Sequence, residues 1–139
     1  MIRTVRQFPA QTGLLGDITT HVEECAAAAG LTAVQTARLG LVLEEAFVNI
    51  CSYAYPQDEG IVEIRCEGGD GSLSIEMADC GAPFNVLSLP EPDTGLGIME
   101  RGIGGLGIHF IRSFSDAVAY RREREWNVLR MEFKRSGDA

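Results

Sequence analysis

The chain has 139 residues, 45% of them hydrophobic, and a formal net charge of −8. That length fits one domain over residues 1–139 with a real core, and the apolar fraction removes disorder as the default. An acidic surface repels phosphate backbones and anionic lipid, which argues against direct nucleic-acid or membrane binding. It leaves room for a nucleotide held by local backbone donors and a metal.

The N-terminus, Met1–Ile2–Arg3–Thr4–Val5, lacks the apolar run of a signal peptide, and no run approaches membrane-spanning length, so a cytoplasmic chain is expected. Ile2 to Phe8 is an expected first strand. From Gln11 to Ala29 the apolar residues Leu14, Leu15, Ile18, Val22, Cys25 and Ala26 recur with a helical period, and Gly30 is the expected stop. Thr32 followed by Gln35 has the form of a capping box and opens a second helix to about Tyr53, with Pro56 beyond its end.

The period then changes to two. Val62, Ile64 and Cys66 alternate with Glu63, Arg65 and Glu67; Leu73, Ile75 and Met77 alternate with Ser72, Ser74 and Glu76. Joined by Gly68–Gly69–Asp70–Gly71, they read as an antiparallel hairpin with one apolar face. Gly81 to Gly105, rich in Gly and Pro, reads as a long loop of the kind that is usually functional. A helix from about Gly105 to Phe114 places Leu106, Phe110 and Phe114 at helical spacing. Strands at Ala117–Tyr120 and about Trp126–Lys134 close the chain, with Arg121–Glu125 as a solvated hairpin tip. Helices on one face of a mainly antiparallel mixed sheet make a two-layer α+β sandwich. The widely spaced Cys25, Cys51, Cys66 and Cys80 show no paired-ligand spacing, so reduced thiols are expected rather than disulfides or a zinc site.

Three places carry possible chemistry. On the second helix, Leu39, Val42, Leu43, Ala46, Phe47 and Ile50 form the apolar stripe; Glu45 and Asn49 fall together at its edge, while Glu44 points away. A carboxylate and an amide oxygen at a core boundary suit a hard cation and a hydroxyl nucleophile; a solvated helix edge is the alternative. Asp79 shares the parity of Leu73, Ile75 and Met77, so its carboxylate leaves the strand on the core side and must find a donor. The exocyclic amine of a purine would satisfy it, as would the amides of its own turn. Gly102–Ile103–Gly104–Gly105–Leu106–Gly107 precedes a helix and offers backbone N–H groups to an anion, as a phosphate loop or else as a hinge. Its letters satisfy G-x-G-x-x-G, but no strand stands before it, which rules out the dinucleotide fingerprint. His21 and His109 are isolated.

The order Glu-x-x-x-Asn on a helix, Asp-x-Gly at a strand end, a long loop and a glycine cluster opening a helix resembles the Bergerat-fold ATPases, the superfamily of gyrase, the ninety-kilodalton chaperone, histidine kinases and mismatch-repair ATPases. Within it, the chain is most similar to the anti-sigma-factor serine/threonine kinases. The segments that carry this are Leu43–Asn49, Asp79–Phe84 and Gly104–Asp116. The resemblance implies ATP and magnesium as ligands. It implies Glu45 as general base, Asn49 as magnesium ligand, Asp79 on the adenine amino group and Gly81 beside the base. Gly104, Gly105, Leu106 and Gly107 would line the phosphates under a lid that orders with nucleotide over Pro83–Ile103. It also implies serine phosphorylation of a small anti-anti-sigma (STAS-type) protein, ATP-dependent binding of a sigma factor, and a homodimer. A binding module without phosphotransfer and a stand-alone histidine-kinase-like catalytic domain are the alternatives. Two positions depart from the pattern: Tyr53 stands where many relatives carry histidine, and Glu125–Trp126–Asn127–Val128 replaces a glycine–threonine element.

Overall fold

The computed structural model describes residues 1–51, 60–88 and 107–135. The strands are β1 (Ile2–Pro9), β2 (Ile61–Gly69), β3 (Ser72–Asp79), β4 (Ala117–Glu123) and β5 (Trp126–Lys134). The helices are α1 (Leu15–Ala29), α2 (Ala33–Asn49) and α3 (Gly107–Phe114), with short 3-10 turns at Thr12–Leu14 and Val86–Ser88. The strands form one sheet in the order β1-β2-β3-β5-β4, and every neighbouring pair is antiparallel.

Local chemistry sets the boundaries. Gly30 takes φ +88° and donates its N–H to Ala26 and Ala27, closing α1 with a left-handed residue that glycine adopts at little cost. At the start of α2, Thr32 Oγ1 accepts from the Gln35 amide at 3.1 Å while Gln35 Oε1 accepts from the Thr32 amide at 3.0 Å, the reciprocal capping box. Gln35 Nε2 then donates to Lys134 O at 2.6 Å, tying this end of α2 to the end of β5. The β2–β3 hairpin turns at Asp70 and Gly71, both with positive φ (55° and 84°), which suits the twist of the strands it joins.

One face of the sheet is apolar. Ile64, Leu73, Ile75, Met77, Met131 and Phe133 bury against Ile18 and Val22 of α1 and Leu39, Leu43 and Phe47 of α2. Truncating Phe47, fully buried, to alanine would cost about 3–5 kcal/mol. The other face is charged: Glu76 pairs with Arg121 (3.0 Å), Arg65 (3.3 Å) and Arg130 (3.4 Å). Partial burial alone would raise the Glu76 pKa, but these guanidinium groups hold it below its ordinary value. The expected hairpin tip is corrected here. Arg121–Glu123 belong to β4, and only Arg124–Glu125 make the turn, because the β4–β5 ladder continues to the pair Glu123–Trp126.

Candidate nucleotide-binding site

Asp79 is the last residue of β3 and only 2% exposed. Its Oδ1 accepts from the Gly81 amide at 2.9 Å and from Asn127 Nδ2 at 2.9 Å. It therefore caps its own turn and is also a buried acid, and both bonds use the same carboxylate oxygen. Burial raises its pKa; the bonds from Asn127 and Gly81 and the charge of Arg122 oppose that rise.

Asn127 sits opposite Asp79 across the β3–β5 ladder and is 4% exposed. Besides Asp79, its Nδ2 donates to Ala82 O at 2.9 Å; its Oδ1 accepts from the Phe84 amide at 3.1 Å and from the Tyr120 hydroxyl at 2.5 Å. Arg122 of β4 reaches over to donate to Gly81 O at 3.0 Å. The turn after β3 is thus held from β4 and β5 together.

Beside this network lies a narrow cleft of about 20 Å³, room for about one water, so a larger ligand enters only if its walls part. Ala46 and Ile50 of the α2 helix line make one wall; Met77, Leu129 and Phe84 make apolar surface opposite, with Asp79, Asn127 and Tyr120 as its polar groups. Apolar walls with one oriented acid suit the faces of a purine ring and its exocyclic amine.

Glu45 and Asn49 each precede a wall residue of that cleft by one position. As the helical period requires, Glu44 is exposed, Glu45 half-buried and Asn49 buried. Asn49 Nδ2 donates to the carbonyl of Glu45 at 2.7 Å, which fixes the amide and leaves Oδ1 as the acceptor turned outward from that bond. Burial, and then the neighbouring charge of Glu44, raise the Glu45 pKa.

The family described as "Histidine kinase-like ATPase domain" matches residues 8–133. The chain belongs to that family. It is 28% identical over 92 residues to a protein of Bordetella bronchiseptica named serine/threonine-protein kinase BtrW, covering 66% of this chain and 65% of that protein. Its fold is similar to the histidine kinase domain of the blue-light-activated histidine kinase of Erythrobacter litoralis, with a TM-score of 0.54 and 15% identity over 91% of this chain and 61% of that one.

In this histidine kinase-like ATPase domain, which by its family binds ATP, Asp79 lines the cleft and bonds the Gly81 amide, while Glu45 and Asn49 lie one position before its wall residues Ala46 and Ile50 on the helix. Gly107 opens α3, which packs against α2, and Arg112 of α3 donates to Leu87 O at 2.8 Å. Gly102, Gly104, Gly105 and Leu106 lie outside the described residues, as do Tyr53, the side chain of His109 and residues 89–103 of the expected lid. Sequence reasoning missed Asn127, Tyr120 and Arg122. Asn127 carried a signal: it shares the parity of Leu129, Met131 and Phe133, a polar side chain on the apolar face of β5. No helix among the described residues is long and apolar enough to cross a membrane.

Proposed function

We propose that this chain is an ATP- and magnesium-dependent protein serine kinase. Its substrate would be a serine on a small anti-anti-sigma protein of the STAS type, and in its ATP-bound form, as a homodimer, it would sequester a sigma factor. The observation that carries this reading is the half-buried Glu45 one turn from an orientated Asn49 amide, on the helix that also gives the Asp79 cleft its wall residues Ala46 and Ile50. The name of the Bordetella relative supports the serine/threonine class.

The donor set fits magnesium: Asn49 Oδ1 is a neutral hard oxygen next to a carboxylate. Magnesium, when bound, neutralises charge on the phosphate oxygens. Asp79 Oδ2 accepts the adenine amine, and the apolar walls exclude water from the ring. Glu45 accepts the proton of the attacking serine as the serine oxygen bonds to the terminal phosphorus and the bond to the ADP oxygen breaks. Its raised pKa makes it a better proton acceptor than an ordinary carboxylate.

The test is phosphotransfer to a co-purifying partner captured with ATP from the source cell. A positioned general base contributes about 10²–10⁴-fold, so Glu45→Gln lowers the transfer rate by that factor while ATP binding survives. ATP with magnesium at about a hundredfold above its dissociation constant stabilises wild type and variant alike by about 2.7 kcal/mol, roughly a 5–10 °C rise in melting temperature. Transfer at the wild-type rate by Glu45→Gln removes it as the base. A thermal shift without any transfer by the wild type makes the domain an ATP-dependent binding module instead.

A further inference from the structure

The far end of the sheet holds a second polar cluster that the nucleotide cleft does not use. In the β1–β2 ladder Thr4 stands directly opposite Cys66. Above them α1 supplies His21 and Cys25, one helical turn apart. An imidazole nitrogen of His21, Cys25 Sγ and Cys66 Sγ all lie within 4.8 Å of one another. His21 Nε2 is 3.9 Å from Cys25 Sγ, and Thr4 Oγ1 is 3.2 Å from the same nitrogen and 3.6 Å from the same sulfur. The three side chains are 7%, 5% and 1% exposed, and the Phe8 ring lies 6.3 Å from the imidazole.

We propose that His21, Cys25 and Cys66 form a structural zinc site, with the Thr4 hydroxyl at the fourth, oxygen-donor position. Zinc takes sulfur at about 2.3 Å and imidazole nitrogen at about 2.0–2.1 Å in tetrahedral sites, which sets nitrogen–sulfur and sulfur–sulfur separations of roughly 3.5–3.8 Å. The donors already stand near that spacing, so closing on an ion needs side-chain adjustments of ångström scale, without a change of fold. Two thiolates balance the charge of Zn²⁺, and the imidazole is neutral, so the loaded cluster is a neutral unit. That matters in an apolar layer, where an uncompensated charge is expensive. Soft sulfur donors with imidazole select zinc over magnesium or calcium. The site joins β1, β2 and α1, the sheet edge farthest in strand order from β4, and shares no residue with the cleft. Its two cysteines come from separate elements, α1 and β2, so no paired cysteine spacing marks it in the sequence, and the expectation of no zinc site rested on that spacing.

The test uses the full chain, reduced and metal-stripped, titrated with Co²⁺ as a zinc surrogate. One equivalent produces a near-ultraviolet thiolate-to-cobalt charge-transfer band and tetrahedral visible bands, and Zn²⁺ displaces both. A Cys51→Ser/Cys80→Ser double variant keeps only Cys25 and Cys66; Cys80 is exposed and Cys51 half-buried at the edge of the core, so the variant's melting temperature is compared with wild type first. It retains the band at wild-type intensity, and adding Cys66→Ala to it removes at least half of the intensity. Absence of the band in the wild type overturns the site, as does its loss in the Cys51/Cys80 double variant. Either result makes the cluster an ordinary thiol and histidine packing of the core. ATP binding is measured alongside by thermal shift, so failure of the metal site and failure of the nucleotide site are read separately.

Discussion

The two sides of the nucleotide cleft are held in different ways. On the strand side, Asp79 and Asn127 are locked into a net that includes the Gly81 and Phe84 amides, the Ala82 carbonyl and the Tyr120 hydroxyl. On the helix side, Asn49 is tied one turn back along its own helix, and Glu45 is half-exposed. The strand side holds its polar groups in fixed positions before any ligand arrives, which lowers the ordering cost of binding. Under the proposed kinase reading the helix side would meet a second molecule that brings its own hydroxyl, and the half-exposed Glu45 is open to such an approach. Recognition and transfer should therefore be separable by substitution.

The hardest blow to the strand side is Asn127→Ala. It strips partners from a buried carboxylate, an amide and a hydroxyl together. Each unsatisfied buried group costs about 1–3 kcal/mol, so a loss of roughly 2–4 kcal/mol is expected, a melting temperature lower by roughly 10 °C. The ATP-induced rise should also shrink. Denaturant melts with and without ATP check both, and a variant as stable as wild type would show that the net is loose.

Asp79→Asn separates binding from folding on that same side. A bond to a charged acceptor is worth about 1.5–3 kcal/mol, so ATP affinity falls roughly 10–150-fold. The unliganded fold behaves the other way. Because the folded-state pKa of Asp79 is raised, its contribution to stability is present below the unfolded pKa and lost as pH rises through the folded pKa. The asparagine variant lacks that loss and should melt no lower than wild type at pH 7. A large drop in its ligand-free melting temperature would place Asp79 among residues kept for structure.

Crossing to the helix side, Asn49→Ala should weaken the magnesium dependence of ATP binding about tenfold while leaving adenosine binding largely intact. Nucleotide titrations at stepped magnesium concentrations decide this. A curve that superimposes on wild type would take Asn49 out of the metal site.

The helix side was the more legible of the two in the sequence. The stripe of α2 and a rotation of 100° per residue are enough to set Glu45 and Asn49 at the core edge and Glu44 outside it. The capping box, the Gly30 stop and the alternation of β2 and β3 are likewise local signals, and local signals survive without tertiary information. What needed the fold was pairing at long range. Nothing in the letters inserts β5 between β3 and β4, and without that order Asn127 has no reason to face Asp79. Arg122 was hidden for the same reason, since its partner Gly81 is distant in sequence. His21 looked isolated until β1 and β2 brought Thr4 and Cys66 beneath it.

The smallest effect is also the finest test of the helix side. The rate of transfer should fall as pH drops through the pKa of Glu45, because only its ionised form accepts the serine proton. Burial is the main cause of its raised pKa and the charge of Glu44 the lesser one. Glu44→Gln removes the lesser cause and leaves the burial. On the high-pH plateau, where the rate no longer changes with pH, the two proteins should agree within about twofold. Toward lower pH the two profiles should part, with the acid limb of Glu44→Gln shifted to lower pH. The limb should still lie above that of an ordinary carboxylate, since burial persists. Transfer rates from about pH 5 to pH 8 give both limbs. An unmoved limb would mean that the group titrating in the profile is not beside Glu44. A limb shifted upward would reverse the sign that like-charge repulsion requires, and either result would assign the proton to another acceptor.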